Sequence, residues 1–600
     1  MSAVVALLRR DGGPADPAAL DAMLLAAPYR GPDGLLAWTS GSVGLGHARM
    51  AVTPEDELET QPLVSPRTGC VLVADARLDN RAELIALLGP AAPCGDGELI
   101  LRAYEAWGVD GAARLLGDFA FALWDPRHRR LVCARDPSGQ RALFYRADGR
   151  VFAAASEIQQ LLQDPSVPVA PNEERIRDFL VPLNMARNEK DGPATFYRGI
   201  QALPAAHALI VDRQGLSVRR YWELEPPAEL RYRSDQEYAE HFRALLFEAV
   251  AARLRSSHPV GALLSGGLDS SSVVAVAQEL RRSGRASHPG LTSFTAVFDG
   301  LECDERELVR DLAERHDFEA RYLAAPALGG RLRPEPTGFL EAPNMGVSDL
   351  RDRLAGAASR AGVRALLTGD VADACVHGSP LVFDSLLRQG RLVALWRHLR
   401  TYRRASPERL RTILAMHCLA PLLPLGLHRW LTARYAERVI RDRRERLLPA
   451  WMSGRLRDDL LDRHQRLCRA AERARRFSSP ARELEYRLLY PPEVSRHPVP
   501  WPLELWRPFA DRRLHAFLLA IPPEQKSAPL SLDVETYAGA KRLIREGMRA
   551  LLPESIRARA SKTLFSGLLQ HEVARQWPLY DQVFGPAGRS EIVGRGYVER

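Results

Sequence analysis

Two domains of different sheet type are predicted: an antiparallel β-rich unit over residues 1–222 and a parallel α/β unit over 236–600. Three observations predict them. At 600 residues the chain exceeds what one hydrophobic core ordinarily serves. Its first third carries short apolar runs separated by Gly, Asp, Asn and Pro, the pattern of strands joined by turns. Further on, short apolar strands alternate with helix-length periodic segments, which calls for a parallel sheet covered by helices.

The elements follow in order. In the first unit the runs GLGHARMAV, CVLVADARL, FAFALWD, RLVCARD, ALFYRA and RVFAAAS read as strands, with helices near 17–25 and 97–107. The polar, proline-containing stretch WELEPPAELRYRSD (222–235) reads as a linker. In the second unit PVGALL, LTSFTAVF, EARYLAA and VRALLTG read as strands. Residues 383–490 are almost continuously helical in pattern and form an elaboration on the α/β unit.

Composition narrows the class. With 46% hydrophobic and 26% charged residues the chain is globular in type. Its seven cysteines (Cys70, Cys94, Cys133, Cys303, Cys375, Cys418, Cys468) are scattered without a C-x-x-C pair. Neither a disulfide framework nor a zinc site is expected, and a reducing cytoplasm fits. The opening MSAVVALLRRDGG places its arginines after a short apolar run, the reverse of a secretory signal. The segment ILAMHCLAPLLPLGL (413–427) is shorter than the roughly 20 residues of a spanning helix. His417, Pro421 and Pro424 interrupt it, so a buried or interfacial helix is expected and stable membrane insertion is not. The net charge of +9 comes largely from arginines between about Arg388 and Arg482. No aromatic-interleaved motif accompanies them, so they read as solvated helix faces and no nucleic-acid partner is expected.

The stretch VGALLSGGLDSSSVVAVAQEL (260–280) carries the chemistry. A strand breaks into Ser265-Gly266-Gly267-Leu268-Asp269-Ser270 and resumes as a helix. Glycines allow backbone N–H groups to turn inward and make a concavity for phosphate oxygens, and the helix N-terminus adds partial positive charge. A carboxylate inside an anion cradle requires a cation between it and the phosphate, so Asp269 reads as a Mg²⁺ ligand. The loop lacks the Gly-Lys-Ser/Thr of a Walker A motif.

S-G-G-x-D-S after a strand resembles the pyrophosphate (PP) loop of ATP pyrophosphatases, and its surroundings resemble the synthetase domain of the asparagine synthetase family. LLTGDVAD (366–373), RPFADRRLHAFLLAIPPE (507–524) and AKRLIREGMRALLPESIRARASKTLFS resemble further family segments in the family's order. The N-terminal half resembles the family too, through YRGPDG, GLGHARMAV, GDGELILRAYEAWG, GDFAFALWDPRHRRLVCARDPSGQRALFY, AASEI and FYRGIQALPAAHALIV.

The resemblance implies an N-terminal Ntn-hydrolase-like αββα sandwich of the class II glutamine amidotransferase type over 1–222. It implies an adenine nucleotide alpha hydrolase-like (PP-loop) synthetase domain over 236–600. ATP and Mg²⁺ are the implied cofactors. Asp269 and Asp373 are the implied metal ligands, and Lys541 and Lys562 the cationic contacts, Lys562 at the pyrophosphate and transition state. Leu263, Ser265, Gly266, Gly267, Ser270, Thr368 and Gly369 are expected to border the nucleotide.

Departures from the family pattern matter as much. Ser2 stands where glutamine-dependent members have a nucleophilic Cys, and a serine could in principle serve there. The family's Val-Asn-Gly-Glu reads Val73-Ala74-Asp75-Ala76, which removes an oxyanion donor and a substrate-binding acid. One lost oxyanion donor costs about 100- to 1,000-fold, so glutamine hydrolysis is expected to be absent. Arg49 and Asp96 remain and read as structural remnants. In the second loop Asp370 replaces the usual Glu or Tyr, Val371 a Gly and Ala374 a Glu.

A synthetase half without an ammonia source resembles β-lactam synthetases and lasso-peptide cyclases. The cyclase is favoured because 383–490 is long, and because RDFLVPLNM (177–185) and SRHPVPWPLELWRPF offer aromatic and basic surface to a peptide. The expected substrate is then a linear precursor peptide whose side-chain carboxylate is adenylated and closed onto its N-terminal amine. Asp370 orients or deprotonates that amine, or is structural. Expected partners are the precursor peptide, a leader-binding protein and a leader peptidase. The alternatives are an asparagine synthetase, a β-lactam synthetase-like small-molecule ligase, and a non-catalytic peptide-binding scaffold.

Overall fold

The computed structural model of the chain describes residues 1–89, 93–165, 167–180, 193–225, 227–286, 290–324, 347–376, 382–405, 410–424, 500–526, 541–559 and 563. It also describes isolated positions within 426–458 and 574–581.

Before residue 221 the strands form two antiparallel sheets. One runs β10 (Gln201–Ala202), β8 (Phe144–Ala147), β9 (Val151–Ala155), β1 (Ala3–Arg9), β3 (Val43–Ala48), β2 (Leu35–Ser40). The other runs β12 (Leu216–Arg220), β11 (His207–Val211), β7 (Arg130–Arg135), β6 (Gly117–Asp125), β5 (Val71–Leu78), β4 (Leu63–Val64). Strand side chains point alternately to the two faces. In β1, Val4, Ala6 and Leu8 enter the interior between the sheets with Val71, Val73, Ala120 and Ala122. Ala3, Val5 and Leu7 instead meet Leu20, Met23 and Leu24 of the helix Pro17–Leu25. In the second sheet Leu72, Ala74, Phe119 and Phe121 pack outward against Leu84 and Leu99–Leu101 of the helices Arg81–Leu88 and Asp96–Trp107. Both faces of these central strands are covered, which is why they read as unbroken apolar runs. The result is the expected αββα sandwich. The helix Arg81–Leu88, absent from the sequence reading, is closed by Gly89 at φ 59° in the left-handed region.

The second unit holds a parallel sheet in the order β15 (Glu319–Ala324), β14 (Leu291–Val297), β13 (Val260–Leu263), β16 (Ala365–Leu367), β17 (Glu504–Trp506). Helices Asp235–Arg253 and Leu268–Arg282 cover one face. Helix Val347–Arg360 covers the other, with Phe294, Leu366, Leu503 and Leu505. Gly261 lies where the sheet is tightest, since a Cβ there would come within 2.6 Å of Leu366. The chain winds outward from β13 to β14 and β15, then returns past β13 to β16 and β17. The order therefore reverses between β13 and β16, and crevices at such reversals are where open α/β sheets bind ligands.

One reading is corrected here. The segment SRHPVPWPLELWRPF, taken as peptide-facing surface, contributes the fifth strand, and Trp506 and Phe509 are fully buried. Three residues between prolines are too short to show a strand period. RDFLVPLNM lies largely outside the described residues, as does most of 383–490. Within the described part, helices Val382–Arg388 and Leu392–Ala405 are found, and 413–427 includes a π-helical turn, Leu414–Leu419. No helix among the described residues is long and apolar enough to cross a membrane. The described cysteines are buried and unbridged.

Candidate active site

At the switch point the loop after β13 faces the loop after β16. Ser265 accepts no helix-capping role; its N–H and hydroxyl instead meet the Ser270 hydroxyl at 3.3 and 3.2 Å, closing the loop on itself. Gly266 adopts φ +71°, a conformation that glycine takes without strain, and packs beside Glu305 and Leu308. Gly267 is the N-cap of the helix Leu268–Arg282 and supplies no side chain to its orphan amides. Asp269 sits in the first turn, where the helix dipole favours a carboxylate.

The opposing loop approaches closely. A Cβ on Gly369 would lie 2.5 Å from the Ser270 backbone nitrogen and 2.9 Å from the Asp269 Cβ, so only glycine permits this contact. Thr368 is buried, donates its N–H to the Trp506 carbonyl at 2.9 Å and accepts from the Asp370 N–H at 3.3 Å. Leu263 ends β13, at the mouth of the same crevice.

Across this gap Lys541 places its ammonium between the Asp269 and Asp373 carboxylates, with Asp373 at 2.6 Å. Lys541 itself is buried, whereas the Asp373 side chain is 55% exposed, so the cluster opens to solvent on one side. Lys541 (φ 55°) and Val371 (φ 77°) both occupy the left-handed region, which costs a side-chain-bearing residue of order 1–3 kcal/mol. Val371 stands where a glycine is usual, and its positive φ gives the physical reason for that preference. Lys562 lies outside the described residues.

Asp370 is held by two guanidiniums: Arg351 at 3.0 Å on one carboxylate oxygen and Arg507 at 3.3 Å on the other. Burial alone would raise its carboxyl. Arg351 and Arg507 outweigh that and hold it below the ordinary carboxylate range. A carboxylate so held is a poor proton acceptor and a good hydrogen-bond acceptor, which favours orienting an amine over deprotonating it.

These residues fit a magnesium nucleotide. Two carboxylates converge on one cationic position, and two glycines clear space in front of a helix N-terminus. Among the described residues no group of three or more His, Cys, Asp or Glu is placed to hold a metal ion. A metal here would draw on two carboxylates plus oxygens of its ligand, the donor set Mg²⁺ ordinarily takes.

No sequence spacing singles out Arg351, Arg507 or Glu305. Glu305 binds both Arg559 and Thr563, the described residues flanking Lys562 in sequence, while packing on Gly266. Lys526, buried at the end of the helix Pro523–Lys526, lies near enough to act electrostatically on the Cys375 thiol together with Lys541. Long-range pairing of this kind leaves no local signal.

In the sandwich the matching positions are tied to neighbouring groups. The Ser2 hydroxyl accepts from the Met50 N–H at 3.0 Å. Asp75 is buried between Arg30 and Arg141, each at 3.6 Å. The Ala74 N–H donates to the Gln61 side chain at 2.6 Å, and Gln61 in turn donates to Glu59 at 2.7 Å. The Glu59 carboxylate fills the space beside Gly95 and Gly97, where a Cβ would meet it at 2.1 and 2.4 Å. Asp96 is buried and paired with Arg81, and Arg49 bonds the Asp56 carbonyl at 2.9 Å.

Residues 1–222 match the glutamine amidotransferase domain model, and residues 241–583 match the asparagine synthase model. Amidase chry2 of Gibberella zeae is 28% identical over 364 residues, 58% of this chain and 53% of that protein. Asparagine synthetase [glutamine-hydrolyzing] 3 of Bacillus subtilis is 33% identical over 264 residues, 43% of this chain and 42% of that protein. Amidase chyE of Penicillium rubens is 27% identical over 366 residues, 58% of this chain and 52% of that protein. The matched region spans about half the length of each of these relatives. With more than half of its length matched by the synthase model behind an Ntn-type amidotransferase domain, the chain belongs to the asparagine synthase family.

Proposed function

We propose that this protein is an ATP-dependent amide ligase that activates a side-chain carboxylate of a linear peptide and joins it to the peptide's N-terminal amine. The observation that carries the reading is a pairing. Asp269 and Asp373 converge on one cationic position at the sheet's switch point, while Ala74 and Ala76 stand where glutamine-dependent members carry an oxyanion donor and a substrate-binding acid. The activation half has its machinery and the ammonia-supplying half does not, so the substrate brings its own amine.

ATP is a substrate of this reaction. Bound Mg²⁺, held by Asp269 and Asp373, would screen phosphate charge and orient the triphosphate. The peptide carboxylate attacks the α-phosphorus and pyrophosphate leaves, which makes the acyl carbon electrophilic. The amine then attacks that carbon, loses one proton, and AMP departs with the former carboxylate oxygen. Ser265, Gly266, Gly267 and Ser270 are suited to hold phosphate oxygens by backbone N–H and hydroxyl. Lys541 and Lys562 are suited to follow the negative charge as pyrophosphate separates. Asp370, kept ionised by Arg351 and Arg507, accepts an N–H from the amine and aims its lone pair. Holding both ends of one peptide removes an association step, and well-oriented intramolecular reactions gain up to about 7–11 kcal/mol in this way. A leader-binding protein and a leader peptidase would deliver such a peptide.

Pyrophosphate release by the full chain with Mg-ATP tests the reading. Linear peptides carrying a free N-terminus and an internal Asp or Glu are compared with free aspartate plus ammonium. The expected result is pyrophosphate release with a peptide, and a product lighter by one water. Turnover of aspartate plus ammonium without peptide turnover contradicts it.

A further inference from the structure

The sandwich domain grips the last strand of the parallel sheet along its length. Arg141 pairs with Glu504 at 2.8 Å, both buried. The Arg77 guanidinium stacks over the Trp506 ring, 5.9 Å from its centroid. Immediately after the strand, Arg507 donates to the Gln140 side-chain carbonyl at 3.0 Å and to Asp370 at 3.3 Å. One guanidinium thus joins a residue of the amidotransferase-like domain to the second loop of the synthetase crevice.

Gln140 is itself built in. The buried Asp136 carboxylate accepts the N–H groups of Ser138, Gln140 and Arg141 at 3.0, 2.9 and 2.9 Å. The Gln140 amide nitrogen donates to the Ser138 carbonyl at 3.3 Å, which leaves its oxygen directed at Arg507. A guanidinium is a rigid planar fork, so fixing one nitrogen aims the others. The bond from Arg507 to Asp370 is near the outer limit for a hydrogen bond, and a small tilt of the fork breaks it. The Gln140 side-chain carbonyl orients the guanidinium by accepting one of its N–H groups.

We propose that Gln140 is a positioning residue for the synthetase reaction, acting through Arg507 to set the orientation of Asp370 in the second loop. This gives the N-terminal domain a role in amide formation that needs no glutamine chemistry. The catalytic consequence rests on the reading of Asp370 as the amine-orienting group; the positional consequence does not.

Two measurements on the full chain test it, with Gln140→Met, which keeps the volume and removes the acceptor, and Gln140→Glu, which keeps an acceptor. The first is amide hydrogen exchange at 366–376 and at 264–282. In Gln140→Met the expected result is exchange about tenfold faster at 366–376, with 264–282 and the urea midpoint as in the parent protein. Gln140→Glu is expected to restore the parental rate. The second uses the peptide that the parent protein turns over. Gln140→Met is expected to lower amide formation about tenfold while ATP–pyrophosphate exchange and the KM for ATP stay unchanged. Parental exchange at 366–376 in Gln140→Met, or loosening of both loops together, overturns the proposal. If the parent protein turns over no peptide, the peptide-ligase reading falls, and hydrogen exchange still decides this one.

Discussion

The two charged regions of this molecule have opposite constructions. In the sandwich, Asp75, Asp96 and Glu157 are all buried, and each faces an arginine of the same chain. In the crevice, Asp373 is half-exposed and pairs with Lys541, and Gly369 lets the two loops approach each other. The first region has turned its charges into buried ion pairs, which fix the packing. The second keeps them at an open mouth beside strained backbone at Val371 and Lys541. Such strain persists where the surroundings over-determine a conformation, and it concentrates at working sites.

The sharpest way to break the comparison is to neutralise the crevice. Asp269→Asn is expected to lower pyrophosphate release by about 100- to 1,000-fold, on the scale of losing a preorganised electrostatic contact. Circular dichroism and the urea midpoint should stay parental. Release at the parental rate would remove the metal assignment.

The converse change belongs to the domain junction. Arg253 is buried and faces Asp79 at 3.1 Å, Asp118 at 3.6 Å and Asp511 at 3.8 Å. Arg253→Met leaves those carboxylates under-compensated and is expected to cost about 3–5 kcal/mol in urea unfolding. A loss below about 1 kcal/mol would show that the cluster is not a structural lock.

A pH prediction follows from His515, buried beneath the same junction. Burial pushes its imidazole down to about 4, although the Phe509 carbonyl at 2.7 Å opposes that shift. The unfolded chain takes up this proton near pH 6.5 and the folded chain does not. Its contribution is therefore present above 6.5 and lost as pH falls toward 4, about 3 kcal/mol in all. The urea midpoint should fall over that window, and His515→Gln should flatten the fall. An equal slope in the variant would contradict the assignment.

The smallest expected effect is at the old nucleophile position. Ser2→Ala is expected to leave ATP-dependent pyrophosphate release within about twofold, since its hydroxyl only bonds the Met50 backbone. A large loss would mean the sandwich pocket still acts in the reaction.

Much of this was legible in the residues. Continuous apolar runs such as VLVADARL and short strands ahead of helices carry their own periodicity, and the S-G-G-x-D-S break marks the loop between β13 and its helix. What stayed hidden was long-range or short. β17 is three residues between prolines and carries no pattern. The contact of Glu59 with Gly95 and Gly97 depends on a close approach that no local spacing announces. Arg351 and Arg507 meet Asp370 from positions 19 and 137 residues away. Pairings of that kind are set by topology rather than by spacing.

The most direct test of the central claim is a crystal structure of the full chain with Mg²⁺ and a non-hydrolysable ATP analogue. The account predicts triphosphate oxygens against the Ser265–Ser270 loop, the ion between Asp269 and Asp373, and Lys541 turned from the carboxylates toward phosphate. A nucleotide bound elsewhere, or an ion that touches neither carboxylate, would contradict it.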